Sequence, residues 1–114
     1  MANTFKLVTK AGVTSSDVIY TPDSVTTVVL GLILGNTTTS QVTATVSLAS
    51  TTSSRAGDNN ENNQTVELIT NTPIPAGSSL ELLAGNKVVM ENNDALSVSA
   101  TGSTDVCLSI MEIS

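Results

Sequence analysis

Residues Ser40–Ala49 read SQVTATVSLA, and their alternation decides the fold class. Val42, Ala44, Val46 and Leu48 fall on one side of an extended chain and Thr43, Thr45 and Ser47 on the other. This is the period of a strand with one face in a core and one in water. Upstream, TFKLVTK alternates until Gly12, VTSSDVIYTPD stops at the Pro22-Asp23 turn pair, and SVTTVVLGLILGN ends at Gly35-Asn36. Downstream come TVELITN, SLELLAG, KVVMEN, ALSVSAT and DVCLSIMEI, each bounded by Gly, Pro, Asn or Asp. No stretch has a helical period and no internal repeat is visible. About eight short strands at this spacing predict an all-β antiparallel sandwich, immunoglobulin-like or jelly-roll-like. Pro73, Pro75, Gly77 and Gly85 read as turn residues, and the segment AGNK between two apolar pieces reads as a hairpin connection.

Composition agrees with the pattern. Thirteen Val and eighteen Thr favour strands, because β-branched side chains fit a pleated surface better than a helical turn. A chain of 114 residues forms one domain, 1–114, with one core. With Phe5 and Tyr20 as its only aromatic residues, that core must be aliphatic. Between Ser50 and Gln64 lies STTSSRAGDNNENNQ, a long polar loop without a large apolar side chain. Such loops are commonly functional, so Arg55, Asp58 and Glu61 are candidate contact residues. The Asp58–Asn63 run lacks the spacing of a calcium loop.

Charge and chemistry narrow the function. A net charge of −6 repels phosphate backbones, which argues against nucleic acid. The apolar run VVLGLIL is far shorter than the roughly 20 residues of a membrane-spanning helix, so no membrane partner is expected. No secretory signal pattern opens the chain. The lone Cys107 cannot form an internal disulfide, which suits a protein made in a reducing cytoplasm. As a small apolar residue in a strand, it is expected to be buried. There is no histidine, hence no common general base or imidazole ligand, and the serines have no evident activator. Glu67, Glu81, Glu91, Asp94 and Asp105 are placed by strand and turn needs. The expectation is a non-enzyme without cofactor or metal.

Several strands carry apolar residues on both faces, with LELL and KVVM adding to the two clearest cases. In TTVVLGLILG, strict alternation puts Val28, Leu30, Leu32 and Leu34 on one side and Val29 and Ile33 on the other. In the last strand Val106, Leu108 and Ile110 oppose Cys107, Met111 and Ile113. A two-layer domain without helices cannot cover such outer faces itself, so burial against other subunits is expected. Candidate interface residues are Val29, Leu32, Ile33, Leu80, Leu83, Val88, Met111 and Ile113, and the expected partner is the chain itself, with a trimer favoured.

The order GLILGNTTTSQVTATVSL, a polar loop, TPIPAGSSLELLAGNKVVMENNDALSVSA and a closing DVCLSIMEI resembles the small β-sandwich virion structural proteins of tailed bacteriophages. The resemblance spans 25–113 and rests on Asn36-Thr37, Pro73 to Gly77, Asp94 to Ala100 and Asp105 to Ile113. It implies an immunoglobulin-like sandwich in the virion, made in the host cytoplasm. The implied role is capsid decoration or cement in contact with a major capsid protein, or else a neck, tail or fibre-associated structural or glycan-binding module.

Overall fold

The computed structural model of the chain describes residues 2–51, 64–83 and 85–114. Among these, nine strands and no helix are present: β1 (Asn3–Val13), β2 (Ser16–Tyr20), β3 (Thr26–Asn36), β4 (Val42–Ser50), β5 (Gln64–Ile74), β6 (Ser79–Leu82), β7 (Val88–Met90), β8 (Ala95–Ala100) and β9 (Thr104–Ile113). They form two antiparallel sheets, sheet A in the order β1-β9-β3-β6 with β7 also on β3, and sheet B in the order β2-β8-β4-β5. The expected sandwich is thus present.

The core lies between the sheets. Sheet A contributes Val29, Leu32, Leu34, Met90, Val106, Leu108 and Ile110, and sheet B contributes Val42, Ala44, Val46, Ile74, Leu96 and Val98, all buried. Alternation in β4, β8 and β9 places these side chains as a half-buried strand requires. The polar residues between them, such as Thr45 and Ser97, face away from the core.

Three departures from the sequence reading concern β3, β5, β6 and β7. First, β3 does not alternate strictly. Its register on β9 shifts between Val29 and Gly31, so Leu30 is the extra residue of a bulge. The bulge reverses parity: Thr27 and Val29 point inward before it, and Leu32 and Leu34 point inward after it. Val28, Leu30, Leu32 and Leu34 therefore do not share one face. Second, β6 and β7 do not form a hairpin through AGNK. Both pair with β3, β6 opposite Leu32–Gly35 and β7 opposite Thr27–Val29, end to end like one interrupted strand. Third, Pro73 lies inside β5, opposite Thr43, and not in a turn. It is tolerated there because β5 is an edge strand and the missing N–H is not needed on its free side.

Polar side chains fasten the ends of the sandwich. Asn36, buried at the end of β3, donates from Nδ2 to the carbonyls of Ser40 at 2.8 Å, Ile74 at 2.9 Å and Pro75 at 3.2 Å. Its Oδ1 accepts from the Thr38 backbone N–H at 2.9 Å and the Thr38 hydroxyl at 2.8 Å. One amide thus ties the β3–β4 turn to the end of β5. The buried carboxylate of Asp94 accepts the backbone N–H groups of Thr51 at 3.0 Å and Glu91 at 2.9 Å, which joins the end of β4 to the β7–β8 turn.

Candidate functional site

Among the described residues the outward face of sheet A carries four of the six large apolar side chains that stand exposed, Phe5, Leu7, Ile33 and Val89; the other two, Val18 and Val66, lie on sheet B. Because the strands are in register, outward residues line up in rows across the sheet. One row runs Phe5–Met111–Val28–Val89 across β1, β9, β3 and β7. The next runs Leu7–Ser109–Gly31, and a third Thr9–Cys107–Ile33–Glu81. Phe5 is 72% exposed, Leu7 64%, Val89 55% and Ile33 42%, so the outer ends of these rows stand in solvent. In the second and third rows Ser109, Gly31 and Cys107 are small. Around Gly31, Ile33, Cys107 and Ser109 the sheet dips in a shallow depression of about 280 Å³, and a second of about 330 Å³ lies beside it at Thr9, Gly35 and Asp105. A shallow apolar dish with exposed rims offers no enclosed chamber for a small ligand; it offers area.

The structure corrects the membership of this surface. Val29 and Leu32 have no exposed surface and belong to the core, because the Leu30 bulge turns them inward. Leu80, Leu83 and Val88 pack half-buried against that core from the β6–β7 edge of the sheet. None of these five lies on the outward rows. Ile33, Met111 and Ile113 do face outward. Cys107, expected inside, is half-buried and faces outward between Thr9 and Ile33. Arg55, Asp58 and Glu61 lie outside the described residues.

Sequence reasoning missed Phe5, Leu7, Val28 and Val89. For Phe5 and Leu7 the signal was present: they alternate within TFKLVTK. It went unused because nothing in a sequence says that β1 would pair with β9 and extend the outward rows of the last strand.

At the inner end of the same sheet, four side chains join both layers. Tyr20 Oη donates to Glu112 Oε2 at 2.6 Å and sits 2.7 Å from the Thr27 hydroxyl, while Lys6 Nζ pairs with Glu112 Oε1 at 2.7 Å. Lys6 first, and then Tyr20, holds the Glu112 carboxyl below the usual carboxylate range. Burial first, and then the bond to Glu112, pushes the Tyr20 hydroxyl up to about 12. Each member has a partner, and the cluster works as a clasp between β2 of sheet B and β1, β3 and β9 of sheet A. Among the described residues no three metal-ligating side chains gather.

No family model matches the chain, and none of the curated proteins does. Among solved structures it is similar to a chain described under "Bacillus endospore appendages form a novel family of disulfide-linked pili". That likeness has a TM-score of 0.45 and 14% identity, over 96% of this chain and 85% of the other. A likeness of that degree says nothing about what this chain does.

Proposed function

We propose that this chain is a non-enzymatic structural protein that acts by self-association, with the outward face of sheet A buried between subunits. The observation that carries the reading is the Phe5–Met111–Val28–Val89 row, which crosses the sheet and ends in exposed apolar side chains on both sides. Single exposed apolar residues are common, but contiguous ones mark contact surfaces. Burying such side chains contributes about 25 cal/mol per Å² removed from water. The narrower form of the reading is a bacteriophage virion component, most simply a capsid decoration or cement protein. Its support is the ordered resemblance over 25–113, in which two of the matching segments touch: Asn36 bonds the carbonyl of Pro75.

The test is sedimentation of the purified chain at micromolar concentration. Wild type should sediment as an oligomer, and Phe5→Ser with Val89→Ser should dissociate it while leaving the far-ultraviolet spectrum of a β protein intact. A monomeric wild type that binds no hydrophobic dye would refute self-association. The virion form is tested separately, by density for this fold in an intact particle.

A further inference from the structure

The edges of the two sheets are not equally guarded. An edge strand exposes unpaired N–H and C=O groups that can template another strand, and proteins usually blunt edges by shortness, bulges, proline or charge. In sheet B, β2 has five residues, a bulge between Val18 and Tyr20, and Asp17 on it. On its other side β5 is bulged on both sides of Val46 and carries Pro73 and the left-handed Asn71. In sheet A, β6 and β7 have four and three residues. The remaining edge is β1. It runs from Asn3 to Lys10 in unbroken register on β9, with no proline, and no described strand pairs with its other side.

Which backbone groups of β1 are free follows from the pairing. Ala2 and Ser114 exchange both backbone hydrogen bonds, at 3.3 and 3.1 Å. In an antiparallel ladder such pairs recur at every second residue. Thr4, Lys6, Val8 and Lys10 therefore bond to β9, while the N–H and C=O groups of Asn3, Phe5, Leu7 and Thr9 point away from the sheet. These odd-numbered residues also carry the outward side chains, including Phe5 and Leu7.

We propose that this free edge of β1 pairs antiparallel with β1 of a second copy, about a two-fold axis at Leu7, so that sheet A runs unbroken through both subunits. The inference rests on the self-association reading and adds to it a second contact, along the edge of the same sheet. Charge favours a second copy, and charge together with the length of the overlap selects this register. Two chains of net charge −6 repel each other, and β1 holds half of the four cations, Lys10 and Lys6, the latter paired with Glu112 of β9, with no carboxylate of its own. It is where two such chains approach at least cost. With Leu7 opposite Leu7, Phe5 meets Thr9, Lys6 meets Val8 and Lys10 meets Thr4, so no lysine opposes a lysine. Centring on Lys6 would oppose Lys6 to itself, and centring on Val8 would oppose Lys6 to Lys10; centring on Phe5 or Thr9 keeps the lysines apart but pairs a shorter part of the unbroken Asn3–Lys10 run. An isologous contact of this kind closes on itself, and the dimer presents one apolar face twice as wide.

The register makes the test sharp. In a Cys107→Ser background, Leu7→Cys should oxidise to a covalent dimer, since directly opposed Cα atoms about 5.5 Å apart suit a disulfide. Phe5→Cys alone should not cross-link, whereas mixing Phe5→Cys with Thr9→Cys should. Leu7→Pro removes a free-edge N–H and none that β9 uses, so it should keep the fold and weaken association about tenfold or more. Oligomers without the Leu7 cross-link, or a trimer, overturn the β1 pairing and leave self-association standing. Cross-linking of Phe5→Cys to Val89→Cys also overturns it, by showing that the sheets join head to tail. A wild-type monomer overturns both readings.

Discussion

Asn36 is a buried amide whose two ends do opposite work: Nδ2 donates to backbone carbonyls and Oδ1 accepts from Thr38. Asn36→Asp keeps the shape and the acceptor but replaces the donor with a second acceptor facing the carbonyls of Ser40 and Ile74. Removing a buried donor and burying an unpaired charge should destabilise the fold by about 3 kcal/mol or more, read by urea denaturation at neutral pH. The loss should shrink in acid, where the protonated carboxyl can donate again. Tyr20 and Glu112 give pH dependence of known sign. The Glu112 carboxyl is lowered by folding, so its contribution is present above its unfolded pKa and is lost as pH falls through the folded value. The Tyr20 hydroxyl is raised from 10.0 to about 12, so its contribution is present below pH 10 and is lost as pH rises toward 12. Tyr20 is the only tyrosine, so Tyr20→Phe should lower stability at pH 8 and flatten the alkaline decline between those values in denaturation curves.

Within the elements, the bulge at Leu30 explains why β3 misleads a reader of the sequence. Its partners on β9 step from Ile110 to Ser109 while β3 steps from Val29 to Gly31. Deleting Leu30 would remove the extra residue and leave every inward side chain inward, so the variant should fold, with a loss of about 2 kcal/mol or less. Deleting Ile33 would shift parity in an otherwise regular run and turn core residues to solvent, so that variant should not fold. Circular dichroism and thermal unfolding of the two deletions separate the outcomes. The strands β4, β8 and β9 were legible because each is regular and half-buried, so periodicity alone reports its faces. The bulge was not, since VVLGLIL is apolar at almost every position and reads equally well in either phase. Nor was the placement of β6 and β7 on β3, because nothing local distinguishes two strands that pair with each other from two that share a distant partner. The same blindness to long-range pairing hid half of the outward apolar rows and kept Val29, Leu32, Leu80, Leu83 and Val88 among the interface candidates.

In the self-association proposed for the molecule, attraction between apolar faces would work against repulsion between like net charges of −6. Salt screens the second and not the first: the screening length falls from about 30 Å at 0.01 M to about 10 Å at 0.1 M ionic strength. Raising sodium chloride from about 10 to 200 mM should therefore tighten self-association, with sedimentation velocity showing the shift; an interface held by ion pairs would loosen instead. The β1–β9 pairing also governs when the protein can become itself. Ala2 bonds Ser114, and the first strand lies along the last for nearly its whole length. During synthesis β1 emerges well before β9 and has no partner until β9 has left the ribosome. Sheet A therefore closes only after translation of β9, and folding dominated by such distant pairings is slow, on the order of milliseconds to seconds. Until then the strand with the least protected edge waits unpaired, so the rate of synthesis and the concentration of nascent chains should govern the yield of native protein.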